Sequence, residues 1–153
     1  MRKLTYDLKF IRPASTTLNA NPIIAASKCV ITITPVGVTA GIGTLGQYET
    51  ASLQTHPKFN KDGSSFTETG TVTFGESVEN NLLHFSTIGL GYIHAYPCPA
   101  PYTAGTVMWK IEEGEGFFEG ANGAITSNFL IDLSNKDVAG ELIAYQFAVV
   151  YLP

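Results

Sequence analysis

An acid set at strand spacing among apolar residues is the clearest candidate for chemistry in this chain. In Phe66-Thr67-Glu68-Thr69-Gly70-Thr71-Val72-Thr73-Phe74, regular alternation puts Phe66, Glu68, Val72 and Phe74 on one face and four threonines on the other. A carboxyl buried on that face loses its hydration, its pKa rises, and it gains the proton donor and acceptor character that isomerases and cyclases require. The alternative is a bulge at Gly70, which would reverse the parity and return Glu68 to solvent beside the threonines.

Tyr92, His94 and Tyr96 form a second constellation, sharing one face of a short strand against Ile93 and Ala95. That face is either an interior or an interface. In the interior, His94 would shuttle a proton near neutral pH while the Tyr92 hydroxyl polarises a carbonyl; otherwise His94 is a hydrogen-bonded packing residue. Trp109 alternates with Val107 and Ile111 against Thr106, Met108, Lys110 and Glu112, so it faces inward. With Tyr6, Phe66, Phe74, Tyr96 and Phe129 it makes up the expected aromatic wall of a ligand pocket, or else simply core.

Other chemistries fail on spacing. His56, His84 and His94 are scattered, without a paired-histidine motif or a zinc-type cysteine pair, so no metal site is expected. A Gly-x-Ser-x-Gly elbow is absent, which removes the α/β serine hydrolases. Cys98 has loop accessibility but no evident partner base, and an inert thiol is the simpler reading. The glycine stretch Gly114 to Gly123 invites a nucleotide reading, yet Glu119 stands where the third glycine of the dinucleotide pattern belongs. Glu112, Glu113 and Glu115 would also repel a pyrophosphate, and the residues after it alternate like a strand.

The elements that must position these groups are strands. No run of helix length repeats apolar residues at three and four, whereas several alternate, which makes the class all-β. Leu4, Tyr6, Leu8 and Phe10 share a face of the first strand, and Lys28 to Val36 reads as a second. Gly46 to Thr55 and Ser64 to Glu76 bracket a polar tip, Pro57 to Gly63, with a turn-forming Asp-Gly step. Further strands are expected over Asn81 to Ile88, Gly91 to Tyr96, Thr106 to Glu113, Ala124 to Leu133 and Glu141 to Leu152. Two connections are long. Pro13 to Ser27 reads as a lid or a crossing over one end, and Pro97 to Tyr102, with alternate prolines, as a stiff extended segment. About nine short strands suit a single antiparallel domain, and closure into a barrel would remove unpaired edges.

Composition narrows the partners. Of 153 residues, 44% are hydrophobic and only 14% charged, so threonine, serine, asparagine and glycine must cover much of the surface. A net charge of −4 offers no basic field to a nucleic-acid backbone or an anionic membrane. The N-terminal segment lacks a signal-like apolar run, no stretch approaches membrane-spanning length, and the two cysteines default to free thiols, all of which point to a cytoplasmic address.

The segment Trp109-Lys110-Ile111-Glu112-Glu113-Gly114-Glu115-Gly116-Phe117-Phe118-Glu119-Gly120-Ala121-Asn122-Gly123 resembles the strand connection of the plant allene oxide cyclases, and more loosely that of dirigent proteins. The likeness covers about a tenth of the chain. It implies an eight-stranded antiparallel calycin-like barrel, with room for an extra short strand, assembled as a homo-oligomer (trimer or dimer). Phe117 or Phe118 would plug one barrel end. No catalytic residue transfers with these positions.

The expected function is therefore a cofactor-independent isomerase, cyclase or lyase acting on a small apolar or aromatic molecule. Glu68 or His94 would move the proton, and tyrosines would orient the substrate. A lipocalin-like carrier and a structural barrel with a filled core are the alternatives. They are told apart by whether a carboxylate or histidine faces a dry pocket.

Overall fold

The alternating runs form strands wherever they are described. A computed structural model describes residues 1–14, 23–27, 29–35, 43–44, 51–75, 80–94, 98–135 and 139–153. Eleven strand segments appear: β1 (Arg2–Arg12), β2 (Ile23–Ser27), β3 (Cys29–Pro35), β4 (Gly43–Thr44), β5 (Ala51–Phe59), β6 (Ser65–Phe74), β7 (Asn81–Thr87), β8 (Gly91–His94), β9 (Tyr102–Glu115), β10 (Asn122–Asp132) and β11 (Leu142–Leu152). All described pairings are antiparallel.

The eleven segments occupy eight strand positions. Ile11 pairs with Ala26 and Leu8 with Cys29, one register that carries β2 into β3 along the same side of β1. β4 and β5 share the other side of that strand. β7 and β8 both lie between β6 and β9, and run in the same direction. β1 also pairs with β11 over its whole length, so the antiparallel eight-strand sheet curls into a partial ring. Ile23 and Ile24, expected in a long connection, are strand residues paired with Thr55 and Gln54. β5 likewise continues through Pro57 to Phe59, which shortens the polar tip to a turn in which Asp62 accepts from the Ser64 N–H at 3.0 Å.

The inner face holds the core. Leu4, Tyr6, Leu8 and Phe10 from β1 meet Ala144, Ala148, Val150 and Leu152 from β11, with Leu53, Phe66, Val72, Phe74, Leu83, Phe85, Val107, Trp109, Ile111 and Ile125 completing it. Three inward glycines pair across strands with phenylalanines: Gly70 with Phe85, Gly91 with Phe66 and Gly105 with Phe129. A Cβ at any of the three would run into the partner's ring. The missing side chains let those rings lie flat on the neighbouring strand, and such contacts accompany strongly curved sheets.

The glycine-rich stretch is a strand connection, as its sequence context requires. β9 passes into a 3-10 turn, Gly116–Phe118, and then into β10. Gly116 has φ +62° and Gly120 φ +72°, a region that L side chains avoid. The turn drives Phe118 into the interior, where it is fully buried and 4.8 Å from the Phe74 ring. Phe117 stays at the surface of this plug, perpendicular to Phe118, while its N–H donates to buried Asn81 Oδ1 at 2.8 Å. Gly114 is where the plug meets the sheet, since a Cβ there would overlap the Phe118 carbonyl. Gly114→Ala should therefore destabilise the fold by about 1–3 kcal/mol. Gly63→Asn, at a left-handed turn position with open space around it, should cost much less. Urea denaturation of the two variants checks the difference.

Candidate functional site

The interior is divided into a packed half and an open half. Tyr6 packs edge-on against Phe74 at 5.4 Å, and Phe74 against Phe118, which fills the end beneath the glycine-rich turn. Phe85 and Trp109 stack at 4.1 Å and 18° and form the boundary. Beyond them lies a cavity lined chiefly by Leu53, Phe66, Val107, Trp109, Phe129 and Leu142. Together with its mouth, open to solvent, the concavity spans about 530 Å³. Phe59, 56% exposed, and Leu133, 46% exposed, stand at the lip and keep it apolar.

Glu68 lies on the wall of this cavity and is 7% exposed. Alternation holds through β6: Phe66, Glu68, Val72 and Phe74 are all buried, and Gly70 does not bulge. Trp109 Nε1–H donates to Glu68 Oε1 at 2.9 Å, and the Thr55 hydroxyl hydrogen-bonds Oε2. Burial pushes the Glu68 carboxyl above its usual range, and the two hydrogen bonds oppose that rise.

The backbone at Glu68 is also unusual. After Thr87 the neighbouring strand makes an excursion through Ile88, Gly89 and Leu90 before β8 resumes, so the β6 ladder passes from Thr69–Ser86 to Phe66–Gly91. The Thr87 hydroxyl fills the gap, accepting from the Glu68 N–H at 2.7 Å and donating to the Glu68 carbonyl at 2.9 Å. On the other side Glu68 faces Pro57, which has no N–H to give. An irregular ladder of this kind can re-aim a side chain beside a binding site.

The remaining candidates separate. Phe66 and Phe129 line the cavity, with ring centroids 6.0 Å apart. Tyr6 and Phe74, expected as ligand contacts, are buried in the packed half and do not line it. Tyr92 and His94 are corrected: Ile93 takes the inner place and lines the cavity, leaving Tyr92 half exposed on the outer face. His94 sits there too, with Nε2 3.3 Å from the Thr106 hydroxyl. The register of β8 with β6 and β9 fixes this parity, and a four-residue strand does not carry enough pattern to announce it. Tyr96 lies outside the described residues. His84 pairs with Glu115 at 2.8 Å, neither residue lining the cavity, and Cys98 carries a free thiol. Among the described residues, no group of three or more His, Cys, Asp or Glu is placed to hold a metal ion, and no helix is long and apolar enough to cross a membrane.

Sequence reading missed Thr55, Ser127 and Gln146, three further buried polar groups of this interior. Each falls on the apolar phase of its own alternating strand, which is the signal that would have found it. No protein-family model matches the chain, and comparison with curated proteins and with solved structures gave no match either.

The raised carboxyl links stability to pH. Between the ordinary value of 4.5 and the higher folded value, the native state keeps a proton that the unfolded chain has lost. The contribution of Glu68 is therefore fully present below the ordinary value and declines as pH rises through the folded one. Glu68→Gln, which can still accept from Trp109, should remove this decline. Urea unfolding from about pH 4 to about pH 8 should then show wild type losing stability relative to the variant as pH rises, whereas parallel profiles would refute the assignment.

Proposed function

We propose that the chain is an eight-stranded calycin-like barrel, akin to the allene oxide cyclases, that moves a proton on a small apolar or aromatic substrate. The observation that carries this reading is one carboxyl at the wall of an apolar cavity, held by Trp109 and Thr55 and shifted toward neutral pH by burial. The reaction class is isomerisation, cyclisation or elimination. The Trp109 N–H and Thr55 hydroxyl hold the Glu68 carboxylate ready as a base; it takes a proton from a carbon acid, and the resulting neutral carboxylic acid returns that proton to another atom of the substrate or releases it. Apolar walls keep water from competing and strengthen those hydrogen bonds. Phe66 and Phe129 hold the substrate body by stacking and edge contacts.

A carrier is the second reading, favoured by the fact that both Glu68 oxygens already have protein partners. Base-promoted opening of 5-nitrobenzisoxazole, an apolar ring whose reaction needs only a carboxylate in a dry site, separates the two. The enzyme reading expects a rate well above that of acetate at the same pH, rising with pH through the elevated Glu68 pKa and falling at least about 100-fold in Glu68→Gln. Equal rates for wild type and variant would leave only carriage.

A cytoplasmic homo-oligomer, dimer or trimer, completes the proposal. Its support is the outer face of β9 to β11, where Met108 and Phe147 flank Thr126 in one cross-strand row and Tyr145 follows, all three apolar side chains about half exposed. Phe147→Glu should shift the sedimentation coefficient to that of a monomer, with the circular dichroism of the fold retained.

A further inference from the structure

Gln146 is a buried polar group of the interior that the proton-transfer reading does not use. It is 2% exposed, on the inward phase of β11 between Ala144 and Ala148. Neither Nε2 nor Oε1 has a hydrogen-bond partner among the described residues. Burying an amide in that condition costs about 1–3 kcal/mol, which a fold does not carry without compensation. Its position connects it to the cavity. Ser127, its cross-strand partner and also 2% exposed, lines the cavity, as does Ala144, the preceding inward residue on its own strand. On its other flank Gln146 pairs with Leu8, which has nothing polar to offer. Gln146 itself is not in the cavity lining, and the inward side chains beside it at 144, 148 and 127 are all small.

We propose that Gln146, with Ser127, forms a second polar station of the cavity, and that it takes a neutral carboxamide or lactam group of the ligand. The chemistry selects that class. A glutamine amide presents one acceptor and donors side by side, the complement of a group that itself carries an N–H beside a carbonyl. The Ser127 hydroxyl can serve either side of that pair. A carboxylate ligand is disfavoured, since among the described residues no lysine, arginine or histidine lines the cavity and Glu68 is on its wall. A plain hydrocarbon would leave the Gln146 amide as it is and gain nothing there. With its amide group at the floor, a ligand would direct its apolar body past Trp109 toward Phe66, Phe129 and the lip. This inference rests on the cavity being the ligand site, but not on Glu68 moving a proton.

Trp109 is the chain's only tryptophan and borders the cavity, so its fluorescence reports occupancy directly. Titrations with benzamide, acetophenone and toluene compare an amide, an acceptor alone and no polar group on one ring. Wild type should bind benzamide about tenfold or more tighter than toluene, with acetophenone between them. Gln146→Met should bring benzamide close to toluene while changing toluene affinity by less than about twofold, and Ser127→Ala should lower benzamide affinity less severely. Unfolding curves on the same samples check that both variants fold; if the methionine variant does not, Ser127→Ala alone decides.

Equal affinity for the three probes in wild type, or a benzamide preference that survives in the folded variants, would overturn the proposal and leave Gln146 as a packing residue. A preference lost in Glu68→Gln but kept in Gln146→Met would assign the station to Glu68 instead, again overturning it. Loss of the benzisoxazole reaction together with an intact, Gln146-dependent benzamide preference would refute the enzyme reading and uphold this one.

Discussion

The Trp109 indole holds the interior together. One face stacks on Phe85 and closes off the packed half; its N–H reaches Glu68 and fixes the carboxyl at the boundary of the open half. A single rigid ring therefore does two things that usually need separate groups. It sets where filling stops, and it gives the buried acid a donor that stabilises its charged form without introducing a cation. An apolar replacement would leave a carboxyl facing a void, and a lysine would turn the site into an ion pair with a different chemistry.

Strand ladders normally enforce regularity, and around Glu68 that regularity is relaxed on both sides. Pro57 withholds a donor from one flank, and the excursion at Ile88 to Leu90 removes a stretch of neighbour from the other. The Thr87 hydroxyl satisfies the orphaned backbone groups. A second irregularity lies between His84 and Phe85 opposite β9, where Glu112 and Glu113 are both exposed and Gly114 returns inward. That shift aims the following turn so that Phe118, not a glutamate, enters the interior.

How much of this was legible in the residues depended on the length of the pattern. β6, ten residues long, offered the inward direction of Glu68 against a bulge at Gly70, which the unbroken ladder with β5 excludes, and the long β9 indicated the inward direction of Trp109. β8 has four residues, so Tyr92 and His94 were assigned by a register that only the fold supplies. The pocket role expected for Tyr6 and Phe74 failed for another reason: alternation tells inside from outside, but not which end of the interior is full. That is decided by Phe118 arriving from a remote turn. The glycine–phenylalanine pairs were equally hidden, because each joins two strands whose register no single segment encodes.

The three inward glycines have a consequence for how such a site would diversify. Each phenylalanine ring occupies the place of a missing methyl on the adjacent strand, and two of the rings, Phe66 and Phe129, are also cavity walls. The dimensions of the chamber are thus gauged from Gly91 and Gly105, positions outside its lining. A lineage could retune which molecules fit by altering one hydrogen atom behind a wall, leaving the acid, its donors and every surface that meets the ligand chemically unchanged.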